Sequence, residues 1–240
     1  MIDTHAHLDA LDGDPAAVVA RARAAGVSRI LTIGTDQAVA LADAHEGVYA
    51  VVGIHPHDAG DEHDLDQLRN LLAHPKAVAV GEIGLDYYRD YAPRDAQAEL
   101  FDAQLEIARE LAKPVVIHTR AADADTLAHL ERFDGAVVLH CFSSPQLLPT
   151  ALARGWYVSF AGNVTYKNAS DLRLAATQVP ADRLLAETDC PYLAPQAVRG
   201  KKNEPAYVVH TLEQLAQTRG EDVATLEAQI DRNASTCFGL

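Results

Sequence analysis

Eight times along this chain a short apolar run gives way to a segment with helical grammar. The runs occupy residues 2–7, 29–34, 49–54, 77–82, 115–118, 137–140, 156–160 and 184–187. Most are continuously apolar rather than alternating, the pattern of parallel strands buried on both faces. The segments between them carry helix punctuation. Asp14-Pro15 supplies a cap and a first-turn proline, and Gly26 a stop. Residues 93–112 read as a long amphipathic helix with Leu100, Leu105, Ile107 and Leu111 as core candidates, and 145–155 again start at proline and stop at glycine. Residues 204–219 and 221–230 close the chain as helices. No Pro/Gly/Ser-rich linker interrupts the series. Eight βα units in 240 residues predict an α/β fold, a (β/α)₈ TIM barrel forming a single domain over 1–240. The rival is a doubly wound open sheet, which calls for a Gly-rich phosphate loop after the first strand; that position holds Thr4-His5-Ala6-His7.

In a parallel barrel the C-terminal ends of all strands open on one face, and active sites lie there. The chain places polar side chains at those ends. His5 and His7 close the first run, His55 and His57 follow the third, Glu82 ends the fourth, His118 the fifth, His140 the sixth, and Asp189 follows the eighth. His5 and His7, two residues apart on a strand, point the same way and can share one metal ion. Asp3 and Thr4 precede them in a strand whose burial would make unpaired polar groups costly. His118 and His140 each follow an apolar run. Taken singly each is the pattern of a hydrogen-bonded core histidine; on adjacent strands at one height they form a second candidate pair. Glu82, flanked by glycines that leave room around it, needs a partner for its buried charge. Two metals would provide one, and an ion pair with Arg120 is the alternative. Asp189 lies just before a turn at Pro191, where it could bind metal and accept a proton from water. Glu187, two residues earlier and deeper, reads as structural support.

Bulk properties set limits on function. The hydrophobic share of 48% and charged share of 22% are those of a soluble globular protein. No basic n-region with an apolar h-region opens the sequence, and no apolar run approaches the roughly 20 residues of a membrane span. The three cysteines fit no zinc or disulfide frame, which suits a reducing cytoplasm. The net charge of −14 argues against non-specific grip on a polyanion. Bound metals would invert that sign at the site itself.

Seven stretches, in order along the chain, resemble the TatD-type metal-dependent deoxyribonucleases, a branch of the amidohydrolase-like barrels. They are Asp3-Thr4-His5-Ala6-His7, Gly53-Ile54-His55-Pro56-His57, Gly81-Glu82-Ile83-Gly84-Leu85-Asp86-Tyr87, His118-Thr119-Arg120, His140-Cys141-Phe142-Ser143, Glu187-Thr188-Asp189-Cys190-Pro191-Tyr192-Leu193 and Arg199-Gly200-Lys201-Lys202-Asn203-Glu204-Pro205. The resemblance implies that His5, His7 and Asp189 bind one metal, that His118 and His140 bind another, and that Glu82 bridges them. It places His55 near the scissile phosphate. Amidohydrolase relatives usually bridge their metals with a carbamylated lysine on strand four; Glu82 there points to the TatD branch.

The implied activity is hydrolysis of DNA phosphodiesters by two divalent ions, with 3′ to 5′ exonuclease polarity. Asp189, Glu82 and His55 are the expected catalytic groups, and His55, His57, Arg120, Arg199 and Asn203 the expected substrate contacts. Arg120, Arg199, Lys201 and Lys202 would rim the cleft, the Lys-Lys pair being equally readable as a solvated loop. Two ions with Glu82 and Asp189 leave the centre net positive, able to hold a phosphate despite the acidic surface. Four imidazoles suit zinc, manganese, cobalt or nickel better than magnesium, whereas the resemblance implies magnesium or manganese as the working ion. DNA is the expected partner, with no membrane and no obligatory protein partner. The alternatives are a related metal hydrolase of esters or amides, such as an aminoacyl-tRNA deacylase or small-molecule hydrolase, and a non-catalytic metal-binding protein. The complete ligand set argues against the last.

Overall fold

The computed structural model describes residues 1–240. Eight strands, β1 (Ile2–Ala6), β2 (Arg29–Gly34), β3 (Val48–Val52), β4 (Ala77–Asp86), β5 (Val115–Arg120), β6 (Val137–Leu139), β7 (Tyr157–Phe160) and β8 (Leu184–Ala186), pair in parallel and in chain order. Helices α1 (Pro15–Ala24), α2 (Asp36–Ala44), α3 (Leu65–Leu72), α4 (Arg94–Glu110), α5 (Asp123–Leu130), α6 (Leu148–Ala153), α7 (Ser170–Gln178), α8 (Val208–Arg219) and α9 (Val223–Phe238) lie between and after them. The sequential order excludes a doubly wound sheet, whose strand order reverses.

The sheet closes between β1 and β8 at its rim. Ala6 and Cys190 form an isolated parallel bridge, His7 N donates to Cys190 O at 2.8 Å, and Asp189 N donates to His5 O at 2.9 Å. Deeper in, side chains replace the main-chain ladder. The Asp3 carboxylate accepts from Thr188 N at 2.9 Å and Thr188 Oγ1 at 2.6 Å, while Thr4 Oγ1 donates to Ala186 O at 3.1 Å. Asp3 is fully buried, and burial pushes its carboxyl up to about 8 even against those hydrogen bonds. The polar pair Asp3-Thr4 thus stitches the barrel shut.

Two strands run further than their apolar cores. β4 continues past Glu82 to Asp86, and β5 past His118 to Arg120, because the rim residues remain paired: Gly84 with His118, Leu85 with Thr119, Asp86 with Arg120. Between Gly81 and Ile83 the register with β5 slips by one, leaving Glu82 as the extra residue of a bulge. Bulges re-aim side chains and cluster near active sites. The glycines beside Glu82 make room for the neighbouring strand rather than for the carboxylate. A Cβ on Gly81 would lie 2.7 Å from Val116 Cβ, and Gly84, at φ +139°, would drive one into the His118 carbonyl.

Helix α4 buries Leu105 and Ile107 as expected, but its buried face is turned away from Leu100 and Leu111. Gln97, Phe101, Gln104, Leu105, Ile107 and Ala108 are buried, while Leu100 is only partly covered and Leu111 is 37% exposed. Two buried glutamines, seven residues apart on one face, fix that orientation. Gln97 Oε1 accepts from Asp86 N at 2.8 Å and its Nε2 donates to Ala92 O at 2.9 Å; Gln104 Oε1 accepts from Ile54 N at 2.7 Å and its Nε2 donates to Ile54 O at 3.0 Å. Each satisfies backbone groups where β3 and β4 run into their rim loops. No helix is long and apolar enough to cross a membrane.

Candidate metal centre

At the open end of the barrel the ends of β1, β4, β5, β6 and β8 bring their polar residues together around Glu82. The carboxylate is 5% exposed and its two oxygens face different neighbours. Oε2 lies 3.2 Å from His5 Nε2 and 3.7 Å from His7 Nε2; Oε1 lies 2.7 Å from His118 Nδ1 and 2.9 Å from His140 Nε2. No arginine is among these partners. Arg120 stacks over the Tyr88 ring at 4.0 Å instead, so the Arg120 ion pair does not form.

The first pocket is completed by Asp189, whose Oδ1 is 3.6 Å from His7 Nε2 and 4.0 Å from His5 Nε2, while the two imidazole nitrogens are 3.3 Å apart. Four donors bound at roughly 2.1 Å in a tetrahedron stand about 3.4 Å from one another. The separations among His5, His7 and Glu82 bracket that value, so these three converge as one donor group, with Asp189 beside both imidazoles. Glu82, His118 and His140 converge as a second donor group.

The electrostatics follow from this crowding. Burial alone would raise the Glu82 carboxyl, but the imidazoles of His140, His55, His5 and His118 outweigh it and hold it well below the ordinary carboxylate range. Burial and the neighbouring His140 depress His5 to about 3, so its ring is neutral, the form that ligates metal. Burial also works against charge on His140 and His118, yet Glu82 and Glu187 raise the first well above its usual value, and Asp86 and Glu82 raise the second.

Both imidazoles of the second pocket are held from behind. His140 Nδ1 meets Glu187 Oε1 at 3.0 Å, and the same oxygen accepts from Cys141 N at 2.8 Å. His118 Nε2 meets Asp86 Oδ2 at 3.1 Å, and Asp86 Oδ1 accepts from Tyr88 N at 3.0 Å and Arg89 N at 2.9 Å. With one nitrogen committed outward, the other is aimed inward. In the first pocket His5 Nδ1 is buried without a partner.

Residues 2–239 match the family described as TatD related DNase. The chain belongs to that family. The TatD-family relatives include the uncharacterized metal-dependent hydrolase YabD of Bacillus subtilis, 39% identical with 100% of this chain and 99% of that protein covered. The 3′-5′ ssDNA/RNA exonuclease TatD of Cronobacter sakazakii is 42% identical over 95% of this chain and 92% of its own length. Among solved structures, the TatD homologue YJJV of Escherichia coli superposes with a TM-score of 0.93 at 32% identity, covering 100% of this chain and 98% of that one.

The expected substrate contacts divide. His55 turns toward the centre: its Nδ1 accepts from His57 N at 3.1 Å, and its Nε2 lies 3.5 Å from Glu82 Oε1. His57 instead points Nε2 at Asp86 Oδ2, 2.8 Å away. Arg199 is exposed and stacks over Tyr166 at 4.4 Å; Lys202 pairs with Asp12 and Lys201 is exposed. Asn203 is a correction. It is fully buried, its Nδ2 donates to Thr188 O at 2.8 Å and Tyr192 O at 2.5 Å, and its Oδ1 accepts from Glu204 N. It pins the loop that carries Asp189 and is not free to contact substrate. Asp86, Gln97 and Gln104 were not anticipated in these roles. The signal was present for the glutamines, as polar residues on the buried stripe of a helix, and for Asp86, as a carboxylate directly after Ile83-Gly84-Leu85.

Proposed function

We propose that this chain is a cytoplasmic, metal-dependent nuclease that removes nucleotides from the 3′ end of single-stranded DNA by a two-metal mechanism. The observation that carries the reading is the division of Glu82, one oxygen toward His5 and His7, the other toward His118 and His140. His5, His7 and Asp189 would hold one divalent ion, His118 and His140 another, and Glu82 both, with magnesium or manganese as the working ion and zinc, nickel or cobalt also suited to the donors. Such a pair supplies Lewis-acid activation of a phosphodiester and of water, and stabilises the leaving oxygen.

The chain's own residues do the rest. Glu82 neutralises part of the local charge and fixes the spacing of the two pockets. Asp189, on the rim beside His7, is the base that takes the proton of the attacking water. His55 Nε2, facing the centre, is the hydrogen-bond donor to a phosphate oxygen. The test is a divalent-metal series on end-labelled single-stranded DNA with products resolved by length, run beside aryl-ester and aminoacyl-ester substrates. Stepwise shortening that requires metal is expected. Cleavage of DNA in excess chelator, or of esters alone, would overturn the reading.

A further inference from the structure

The rim around this centre is chemically one-sided. Beneath the loops that follow β1, β2 and β3 lies a cavity of about 620 Å³ that opens onto His7, His55 and Glu82. Its walls carry Asp9, Asp36, Asp58, Asp61 and Glu62, with no lysine or arginine among the lining residues. The loops after β4 and β8 differ: the one exposed carboxylate of the β4 loop, Asp90, pairs with Arg94. They present Tyr88, Tyr91 and Tyr192, each more than half exposed, with the Arg120 guanidinium stacked on Tyr88 and the Arg89 guanidinium 6.0 Å from Tyr91.

A polynucleotide crossing the centre meets these two sides unequally. Its phosphates are repelled by five uncompensated carboxylates and tolerated beside arginines. Aromatic faces stack bases of any sequence. A terminal deoxynucleoside, by contrast, carries no further phosphate: its free hydroxyl and, on adenine, cytosine and guanine, its exocyclic amine can donate to carboxylate acceptors. The cavity volume lies within the roughly 300–1,000 Å³ of small-molecule pockets.

We infer that the acid-lined cavity receives the terminal nucleoside of the strand, free hydroxyl foremost, and rejects an end that carries phosphate, while the remaining chain leaves over Tyr88 and Tyr91. Resting on the nuclease reading above, the inference gives the preference for a strand end a physical origin: the strand cannot continue through the cavity because its next phosphate is excluded. With 3′ to 5′ polarity, the excluded group is a 3′-phosphate.

Three 5′-labelled DNA single strands of one sequence, ending in a 3′-amine, a 3′-hydroxyl or a 3′-phosphate, provide the test. Removal of the terminal nucleotide should follow the charge order, the amine at least as fast as the hydroxyl and the phosphate slower by about tenfold or more at low salt. The gap should narrow as ionic strength rises. The triple variant Asp36→Asn, Asp61→Asn, Glu62→Gln should bring the hydroxyl-to-phosphate rate ratio toward unity. Fluorescence anisotropy with hydrolysis-resistant phosphorothioate versions should show the same order in binding. Equal rates for hydroxyl and phosphate ends, or a ratio indifferent to both salt and the triple variant, overturn the inference and leave the nuclease reading standing. Failure to cleave any of the three strands removes both.

Discussion

In the pocket of His118 and His140 each imidazole leans on a carboxylate behind it, Asp86 for the first and Glu187 for the second. In the pocket of His5 and His7 nothing stands behind: His5 Nδ1 is buried and unpartnered, and His7 meets carboxylates only through the nitrogen that faces the centre. A ligand held from outside is aimed before metal arrives, and such support is commonly worth a factor of about 10–100 in affinity. On the two-metal reading proposed above, one pocket is built in advance, whereas the other would rely on its ion to complete it. Glu82 is common to both.

The largest expected effect tests that shared residue. Glu82→Ala should empty both pockets and lower turnover by at least roughly a thousandfold, the scale of losing a charge-stabilising group at a reacting centre. Elemental analysis alongside oligonucleotide cleavage checks it; one ion retained at full occupancy would show that the pockets are independent. Asp189→Asn keeps the shape of the first pocket. Substantial metal should remain while the rate falls by about a hundredfold or more, the lower range of general-base effects. A near-normal rate with both ions bound would move the proton acceptor elsewhere, to His55 or to bulk water.

Smaller changes probe the supports. Glu187→Gln and Asp86→Asn should each weaken the second pocket by roughly 10–100-fold and leave the first nearly unchanged. Cobalt titration followed by optical spectroscopy would resolve the two sites, and equal weakening of both would break the contrast. The mildest manipulation is graded chelation of unmodified protein. The ion between His5 and His7 should leave first, within a window of about tenfold in chelator or less if the backing contributes little. Loss from the His118 and His140 side first would reverse the comparison.

Much of this centre was legible in the sequence because parallel strands buried on both faces read as apolar runs, and polar residues at their ends stand out. His5, Glu82, His118, His140 and Asp189 were visible for that reason. What hid was polar structure inside the fold. Gln97 and Gln104 occupy core positions that an apolar pattern assigns to leucine, and the face of α4 was therefore placed too near Leu100 and Leu111. Asn203 sits in a loop rich in basic residues, where a substrate contact is the natural reading; its burial depends on contacts with Thr188 and Tyr192 that no local pattern encodes. The extension of β4 past Glu82 was hidden by its bulge, which interrupts the register at the very residue that seemed to end the strand.

The stitched seam between β1 and β8 also sets an order of events in time. Asp3 and Thr188, which close it, are 185 residues apart in the chain. The first pocket draws His5 and His7 from one side of that seam and Asp189 from the other, so it exists only after the two ends of the chain have met. The second pocket is taken from β4 and the two strands after it, a much shorter loop to close. During synthesis or refolding, Glu82, His118 and His140 would come together from neighbouring segments, whereas Glu187 behind His140 arrives, like Asp189, only with the last strand. A chain arrested before closure would carry Glu82, His118 and His140 without the Glu187 support and without the aspartate assigned here to the proton.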